Sequence, residues 1–576
     1  MINENNKNKS LNVKTIAEYD NSDIGAEIAK KDFNSNLDTK INEKFKHDID
    51  AIKASYSNLL YYGENNTYPS SSPSIIGGLT SLFNLNLNKE KFRVLEIGCN
   101  FGDNLIPYAF NYLNSEFIGV DLSTKAIDLG NQRIKELELH NIKLENKSFT
   151  EINSKEYGKF DIIVAHEIYS LISPELQDAM FKLVSDCLSD NGVFYVNYNT
   201  LPGWYMSKAT SDYLKMACNN FQEPEKQNQV LQHLKFLEKS LSNNNTPYGL
   251  AMKQEVTSLL NRPYNYIIYN HMNEYNNAVN FSQICNTAAK YNMQYITEVN
   301  LNALIVPEEF KELNEVKDIV LQQSYLDFLT GRRFRTSLFT KNSVVLNKNI
   351  SQDSIKNMNF YSNLSYSKQI NDNLLGDFNQ LYKEQVLSNE NVIFSINGQD
   401  AINSSDSMVK ACLFQITKLK YKSNNFEGMV KNIVDHFSFE EEKIKNLLSD
   451  LIMKCIINGI IIGHYNLNWD YSLIDTKKPK VSKIVKNQLD RGYRVVTGVN
   501  YNIIKLDDLL ILLLLNCNGQ NTLDDLFNII LDAFKTKKLT ISTDSKQDIS
   551  IEDIAANLNT WIKNYIQSAL LNGLLS

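Results

Sequence analysis

Cysteine is scarce and scattered: the seven thiols lie at 99, 187, 218, 285, 412, 455 and 517, with no pair at CxxC spacing. This excludes a disulfide framework and a thiolate zinc site, so no metal is expected. A long apolar run is also missing. The most hydrophobic stretch, Leu509 to Leu515, falls far short of the ~20 residues that cross a bilayer. The segment from Met1 to Ser10 is polar and lacks the apolar core of a secretory signal, so a cytoplasmic, reducing location is expected. Positive charge is not in excess either. With 59 basic against 66 acidic residues the net charge is −7, which argues against a partner held chiefly through phosphates, and no nucleic acid is expected. Asn, Lys and Ile are abundant along the whole chain, a base-composition bias with no functional meaning.

At 576 residues the chain exceeds one ordinary core, so three or more structural units are expected. Residues 1–40 are rich in Asn, Lys and Asp with weak periodicity and read as a flexible arm. An amphipathic helix is expected over 41–62, with Phe45, Ile49, Ile52 and Tyr56 on one face. A Pro/Ser loop from Tyr68 to Pro73 precedes an apolar helix from Ile75 to Phe83. From residue 92 short apolar strands alternate with helices. Strands are expected at 93–97, 117–120, 143–146, 160–166 and 192–198, and helices at 104–113, 126–139 and 174–188. That alternation predicts an α/β fold with a parallel, doubly wound, Rossmann-like sheet. The resulting division is a core over 41–204, a helical middle unit over 205–340, a connector over 341–400 and a C-terminal region over 401–576. In the last region two helices end alike, in Ile457-Asn458-Gly459-Ile460-Ile461 and in Leu571-Asn572-Gly573-Leu574-Leu575. Each glycine sits where a helix needs a left-handed C-terminal residue before an apolar strand. The order helix, helix, helix, Gly, strand predicts two winged-helix-like units in tandem.

The stretch that carries chemistry is Val94-Leu95-Glu96-Ile97-Gly98-Cys99-Asn100-Phe101-Gly102. A strand running into Glu-x-Gly-x-x-x-Gly and then a helix makes a tight turn whose backbone a ligand can approach. Dinucleotide enzymes place a middle glycine here to cradle pyrophosphate. This chain has Asn100 instead, and it carries Glu96 at the strand end. A carboxylate there repels phosphate and suits the sulfonium and amino groups of S-adenosylmethionine. About twenty residues on, Gly119-Val120-Asp121-Leu122-Ser123 closes the second strand, where Asp121 can accept both ribose hydroxyls. Cofactor contacts are therefore expected from Glu96, Gly98, Cys99, Asn100, Gly102 and Asn104 of the first turn. Asp121 and Leu122 follow strand two, Ser148 and Phe149 follow strand three, and His166 ends strand four.

The substrate should lie beyond strand four, at Ala165-His166-Glu167-Ile168-Tyr169. The Asn/Asp-Pro-Pro-Tyr/Phe tetrapeptide that holds a planar amide or base nitrogen is missing, which disfavours such acceptors. His166-Glu167 also lacks the second histidine of a zinc H-E-x-x-H helix. His166 either closes the sheet edge over the cofactor or acts as a base. Strand five runs into Asn197-Tyr198-Asn199-Thr200-Leu201-Pro202-Gly203-Trp204, at the rim where such sheets bind ligand or simply turn. Tyr198, Trp204, Tyr169 and His166 are the candidates for lining an acceptor site. Elsewhere, Arg332-Arg333-x-Arg335 reads as a structural ion-pair cluster. Lys477-Lys478-Pro479-Lys480, with Lys483, Lys486, Arg491 and Arg494, reads as a solvated face.

Several of these segments resemble one family. Arg93 to Cys99, Gly102-Asp103-Asn104-Leu105-Ile106-Pro107 and Phe117 to Ser123 look like the rickettsial-type protein lysine methyltransferases, which modify a large outer-membrane protein. Tyr198-Asn199-Thr200 with Pro202-Gly203-Trp204, and Tyr325-Leu326-Asp327-Phe328 with Arg333-Phe334-Arg335-Thr336, are similar too, as are Pro479, Leu506-Asp507 and Asn518-Gly519. The resemblance spans residues 60–576 in motifs. It implies a methyltransferase core joined to a regulatory domain, S-adenosylmethionine as cofactor, lysines of an outer-membrane protein as substrate, and a homodimer. One departure is that Ser70-Ser71-Ser72 stand where relatives often carry Gln-Thr-His before the proline. The alternatives are a small-molecule methyltransferase and a non-catalytic cofactor-binding module.

Overall fold

The computed structural model describes residues 67–576 apart from 348–351, 357, 367–377, 397, 421, 466–469 and 541–549. The expected arm over 1–40 and helix over 41–62 lie outside the described residues. Cap chemistry sets the first elements. Ser72 accepts from the Ile75 amide and Pro73 opens helix α1 (Pro73–Ser81). Strand β1 (Arg93–Ile97) leads through the glycine turn into α2 (Leu105–Asn111) and β2 (Glu116–Asp121). Ser123 then caps α3 (Thr124–Glu136), followed by β3 (Ile142–Asn146) and β4 (Phe160–Ala165). Helix α4 (Pro174–Cys187), capped by Ser173, leads to β5 (Leu188–Asn199).

Four helices follow: α5 (Tyr205–Cys218), α6 (Glu225–Leu241), α7 (Pro247–Leu260) and α8 (Tyr264–His271). They bury a small core of their own around Leu214, Val230, Leu234, Val256 and Ile267. The chain then returns to the sheet through α9 (Phe281–Lys290), β6 (Met293–Glu298), α10 (Ile319–Thr330) and β7 (Phe334–Lys341). The sheet has seven strands in the order β3-β2-β1-β4-β5-β7-β6. Strands β1 to β5 pair in parallel, and β7 runs antiparallel to both β5 and β6.

This alters the expected organisation. The region over 205–340 is not wholly helical, and the sheet is not complete at residue 204. The four helices are inserted between β5 and the last two strands. Alternation in β7 is masked because Arg335 and Ser337, which share the face of apolar Phe339, are polar yet buried.

Both faces of the sheet are covered, and successive strand residues divide between two cores. Val94, Ile162, Val164, Val193 and Tyr195 face one side, with α2 and α3. Leu95, Ile97, Ile163, Phe194, Val196 and Tyr198 face the other. The first core continues without a break into the C-terminal region.

There the chain builds two units of the same order. The first comprises β8 (Asn359–Ser362), β9 (Leu364–Tyr366), α11 (Phe378–Leu387) and the hairpin of β10 (Val392–Ile396) with β11 (Gln399–Ser404). It continues with α12 (Ser407–Lys418), β12 (Asn424–Asn425), α13 (Phe426–His436), α14 (Glu441–Ile457) and β13 (Ile461–His464). Strand β8 lies between β12 and β13. In the second unit Lys480 and Val481 bridge to Asn518 and Leu575 in the same way. Between them run α15 (Lys483–Asp490), the hairpin of β14 (Val495–Thr497) with β15 (Ile503–Lys505), α16 (Asp508–Asn516), α17 (Leu523–Lys535) and α18 (Ile551–Leu571). Gly459 and Gly573 both adopt positive φ, 71° and 67°. Part of the region over 341–400, read from sequence as connector, thus contributes strands and a helix to the first unit; its strands are too short for periodicity to reveal.

Candidate cofactor and acceptor site

The C-terminal edge of the parallel strands carries the site, as the fold requires. Register aligns Glu96 with Val164 and Val164 with Tyr195, so the ends of β1, β4 and β5 present Glu96, His166 and Tyr195 on one face. The turn after β1 is tight. Gly98 (φ 76°) donates to the Val120 carbonyl at 2.8 Å, and Asn100 itself adopts φ 49°. A Cβ on Gly98 would lie 2.4 Å from Ile168 Cδ1, so glycine is required for both its conformation and its space. Gly102 (φ 71°) packs on Leu144 and starts the helix.

Asp121 is buried at the end of β2, and each of its oxygens takes a backbone amide: Asn100 N at 2.9 Å and Ser123 N at 2.8 Å. Those bonds fix the carboxylate while leaving a lone pair on each oxygen. Burial raises its pKa, and the amides oppose the shift. Glu96 is 3% exposed. Its Oε1 accepts from Asn104 Nδ2 at 2.8 Å, and its Oε2 is buried with no hydrogen-bond partner among the described residues. Burial pushes its pKa up to about 8, against the lowering effect of Asn104.

Two cavities meet at Gly98, Ile168 and Leu171. One, of about 610 Å³, is mostly apolar and is bordered by Ile97, Val120, Asp121, Leu122, Ser148, Phe149 and Asn273. The other, of about 590 Å³, is bordered by Tyr68, Glu96, Cys99, Asn100, Asn104, His166, Glu167, Tyr269 and Asn270. Of the expected cofactor residues, only Gly102 borders neither, since it faces the packing beneath the turn. Neither Lys nor Arg lines the second cavity among the described residues.

His166 stacks on Tyr68, with ring centroids 3.5 Å apart, and its Nδ1 lies 2.9 Å from the Tyr195 hydroxyl. That hydroxyl is in turn 3.0 Å from Ser70 Oγ. The exposed part of His166 faces the cavity, and loss of solvation pushes its pKa down to about 3, so the imidazole is neutral. The serines preceding Pro73 all have work. Ser70 meets Tyr195, Ser71 accepts from Asn104 Nδ2 at 2.9 Å, and Ser72 caps α1.

Three acceptor-site expectations are corrected. Tyr198 lies on the opposite face of β5 from Tyr195, 1% exposed, with its hydroxyl on Ser337 Oγ at 3.0 Å. Tyr169 packs edge-on against Phe181 and Tyr198 in that same core. Trp204 donates from Nε1 to Asn276 Oδ1 at 2.8 Å and stacks on His271, joining the inserted helices to the rim. None of the three borders either cavity. The residues found in their place are Tyr68, Tyr269 and Asn270, with the buried Tyr195 behind His166. Counting residue parity from Val193 along β5 would have singled out Tyr195. Tyr269 and Asn270 come from α8 and have no local signature.

The arginine cluster is an ion-pair network. Arg335 meets Glu298 and Asp327, each at 2.8 Å, and Arg333 meets Glu255 at 2.7 Å. Cations of the second basic segment are paired as well: Lys483 with Glu138, Arg491 with Glu136 and Arg494 with Asp508.

The residues present fit S-adenosylmethionine. An orphaned carboxylate oxygen awaits a cation, a fixed carboxylate retains acceptor capacity, and an apolar cavity adjoins them. With this sheet order they define an S-adenosylmethionine-dependent methyltransferase of the Rossmann-like class. Comparison with known proteins agrees. The family described as "Methyltransferase domain" matches residues 95–194, and "Predicted methyltransferase regulatory domain" matches 263–341. "PKMT, C-terminal winged helix domain" matches 477–574. The uncharacterized protein RP789 of Rickettsia prowazekii is 31% identical over 530 residues, covering 89% of this chain and 92% of that protein. Another protein of that organism, RP028, is 32% identical over 226 residues, 39% of this chain and 90% of its own length. The structure of PKMT2 from Rickettsia typhi superposes with a TM-score of 0.75 at 25% identity, covering 88% of this chain and 99% of that one. PKMT2 has also been solved in complex with AdoHcy. The chain belongs to the rickettsial-type protein lysine methyltransferase family.

Proposed function

We propose that this methyltransferase transfers methyl to lysine Nζ of a protein, an outer-membrane protein being the substrate that the family suggests. The observation that carries the reading is the second cavity. It places the orphaned Glu96 oxygen, the Glu167 carboxylate, the aromatic rings of Tyr68 and Tyr269 and a neutral His166 around one space without a basic side chain. Such a wall accommodates cations and amines and repels nothing positive.

Bound S-adenosylmethionine supplies an electrophilic methyl group on a sulfonium. Glu96, oriented by Asn104, holds its amino end; Asp121 takes the ribose hydroxyls; Leu122, Ser148 and Phe149 enclose the base. The protein's task on the acceptor side is to position a neutral amine, because free lysine has a pKa near 10.4. Aromatic walls favour the neutral form by desolvation, and positioning can contribute most of the rate. His166, held between Tyr68 and Tyr195, borders that space.

The inserted helices α5–α8 and the two C-terminal units exceed what a metabolite enzyme needs, and we assign them to substrate docking and to a homodimer. No described helix is long and apolar enough to cross a membrane, and we place the enzyme in the cytoplasm. The test is transfer from labelled S-adenosylmethionine to recombinant outer-membrane protein, with free lysine and small metabolites alongside and Asp121→Ala as the cofactor-site control. Label on lysines, located by mass spectrometry and lost in Asp121→Ala, establishes the reading. Label confined to metabolites, or to no acceptor despite cofactor binding, overturns it.

A further inference from the structure

The two C-terminal units are alike in order yet differ in what their hairpins touch. The hairpin of the first, β10–β11, pairs with β9 inside its own unit. The hairpin of the second, β14–β15, lies against the methyltransferase core beside the cofactor turn. Tyr501, between the two strands, is 1% exposed and packs its ring edge-on to Tyr108, with centroids 4.9 Å apart and planes at 87°. The Tyr108 hydroxyl donates to Asn104 Oδ1 or to the Tyr68 carbonyl, at 2.9 and 2.7 Å. Asn104 in turn donates to Glu96 at 2.8 Å.

A second route runs alongside. Thr497, at the end of β14, donates to Thr67 Oγ1 at 2.7 Å, and Thr67 donates to the Asp103 carbonyl at 2.9 Å. The next residue, Tyr68, gives its amide to Asn104 Oδ1 at 2.9 Å and its ring to His166. Further contacts seat the unit: Asn111 donates to the Val499 carbonyl at 2.7 Å, and the buried Arg133, paired with Asp103, also reaches Asn487.

We infer that the hairpin of the second C-terminal unit is a positioning element of the cofactor site, acting through Tyr501–Tyr108–Asn104 on Glu96 and through Thr497–Thr67 on the Tyr68 wall. The inference rests on Glu96 holding the cation of S-adenosylmethionine. Asn104 is the only hydrogen-bond donor that meets Glu96 among the described residues, so the orientation of that carboxylate depends on how Asn104 is held. Asn104 is held by Tyr108, Ser71 and the Tyr68 amide, and the hairpin supports Tyr108 and the Thr67–Tyr68 segment. The winged-helix unit is on this account part of the cofactor site and not an appendage to it.

The test uses the full-length protein with Thr497→Val and Tyr501→Leu, and Phe394→Leu in the first hairpin as the matched buried-ring control. Affinity for S-adenosylmethionine is measured by calorimetry from pH 6 to 9, and hydrogen exchange is followed on the cofactor-free protein. Loss of one oriented hydrogen bond weakens binding by about tenfold. Because Asn104 lowers the Glu96 pKa, loosening it also moves the pH midpoint of binding upward, which a general loss of stability would not do. Exchange should quicken at the amides of 67–71 and 103–104 in both hairpin variants and not in Phe394→Leu. Affinity and midpoint unchanged in both hairpin variants, or moved equally by Phe394→Leu, overturn the inference. Glu96→Gln separates the two levels. If it binds as the wild type does, the assignment of Glu96 fails; if it loses binding while the hairpin variants do not, the inference alone fails.

Discussion

Asn104 Nδ2 donates to Glu96 Oε1 at 2.8 Å, and the other oxygen of that carboxylate is buried with no partner among the described residues. A half-satisfied buried acid has consequences in the cofactor-free protein. Its pKa, raised by burial to about 8 from 4.5, means that the folded state holds a proton that the unfolded chain has released. The neutral acid costs the fold nothing below pH ~4.5, and stability is lost as pH rises from there to about 8. Denaturant unfolding of the cofactor-free protein should show that fall, and Glu96→Gln should make it shallower.

Binding of a cation should reverse the balance. At pH 7 the protein must give up the Glu96 proton when S-adenosylmethionine binds. Titration calorimetry in buffers of different ionisation enthalpy should therefore report proton release, absent in Glu96→Gln. That substitution should also weaken binding on the order of a hundredfold, as expected for one partner of a buried charge pair.

Asp121 has a different part, because it holds the turn as well as the ligand. Asp121→Ala leaves the Asn100 and Ser123 amides without their acceptor, at about 1–3 kcal/mol for each buried donor. Thermal unfolding should move down, and cofactor binding should be lost. Asp121→Asn keeps one acceptor oxygen and should recover part of the stability with little of the binding. Full stability in the alanine variant would contradict the hydrogen-bond account.

The cofactor half of the site was legible because its signals are local. Glu96, Gly98 and Asp121 are set by one strand-turn-helix and the next strand end, and a positive φ at Gly98 is what its neighbours' spacing demands. The acceptor half was less so. Tyr198 and Trp204 stand near the rim in sequence, but strand alternation turns Tyr198 into the far core and Trp204 is spent on Asn276. Tyr68 and Tyr269 reach the cavity from segments on either side of the motif, brought there by tertiary packing alone. Strands β6 and β7 escaped for a related reason: the helices inserted after β5 separate them from the sheet that they complete.

Histidine would ordinarily titrate near pH 6.5. His166, desolvated to about 3, does not. The rate of methyl transfer between pH 5 and 9 should therefore show no histidine step, rising instead with deprotonation of the acceptor amine. Tyr195→Phe removes the hydroxyl beside His166 Nδ1 and should lower kcat by about tenfold while cofactor affinity stays within a factor of two or so. An inflection near pH 6.5 that vanishes in His166→Asn would show that the imidazole carries protons after all.

Stability of the completed sheet should depend most on Arg335. Its guanidinium, fully buried in β7, binds Asp327 through two nitrogens at 2.9 and 2.8 Å and Glu298 at 2.8 Å. Glu298 also accepts from Ser337, which meets the Tyr198 hydroxyl, so one cation organises β5, β6, β7 and α10 together. Replacing it by methionine preserves volume but leaves the Glu298 carboxylate buried without its cation and Asp327 with only Arg332, at 3.3 Å, which costs about 3–5 kcal/mol. Arg335→Met should lower the unfolding midpoint accordingly in urea. Adding Glu298→Gln and Asp327→Asn removes the stranded charges and should return much of the loss. That recovery distinguishes a charge left unpaired from a cavity left unfilled, since neither added substitution alters the space that methionine occupies.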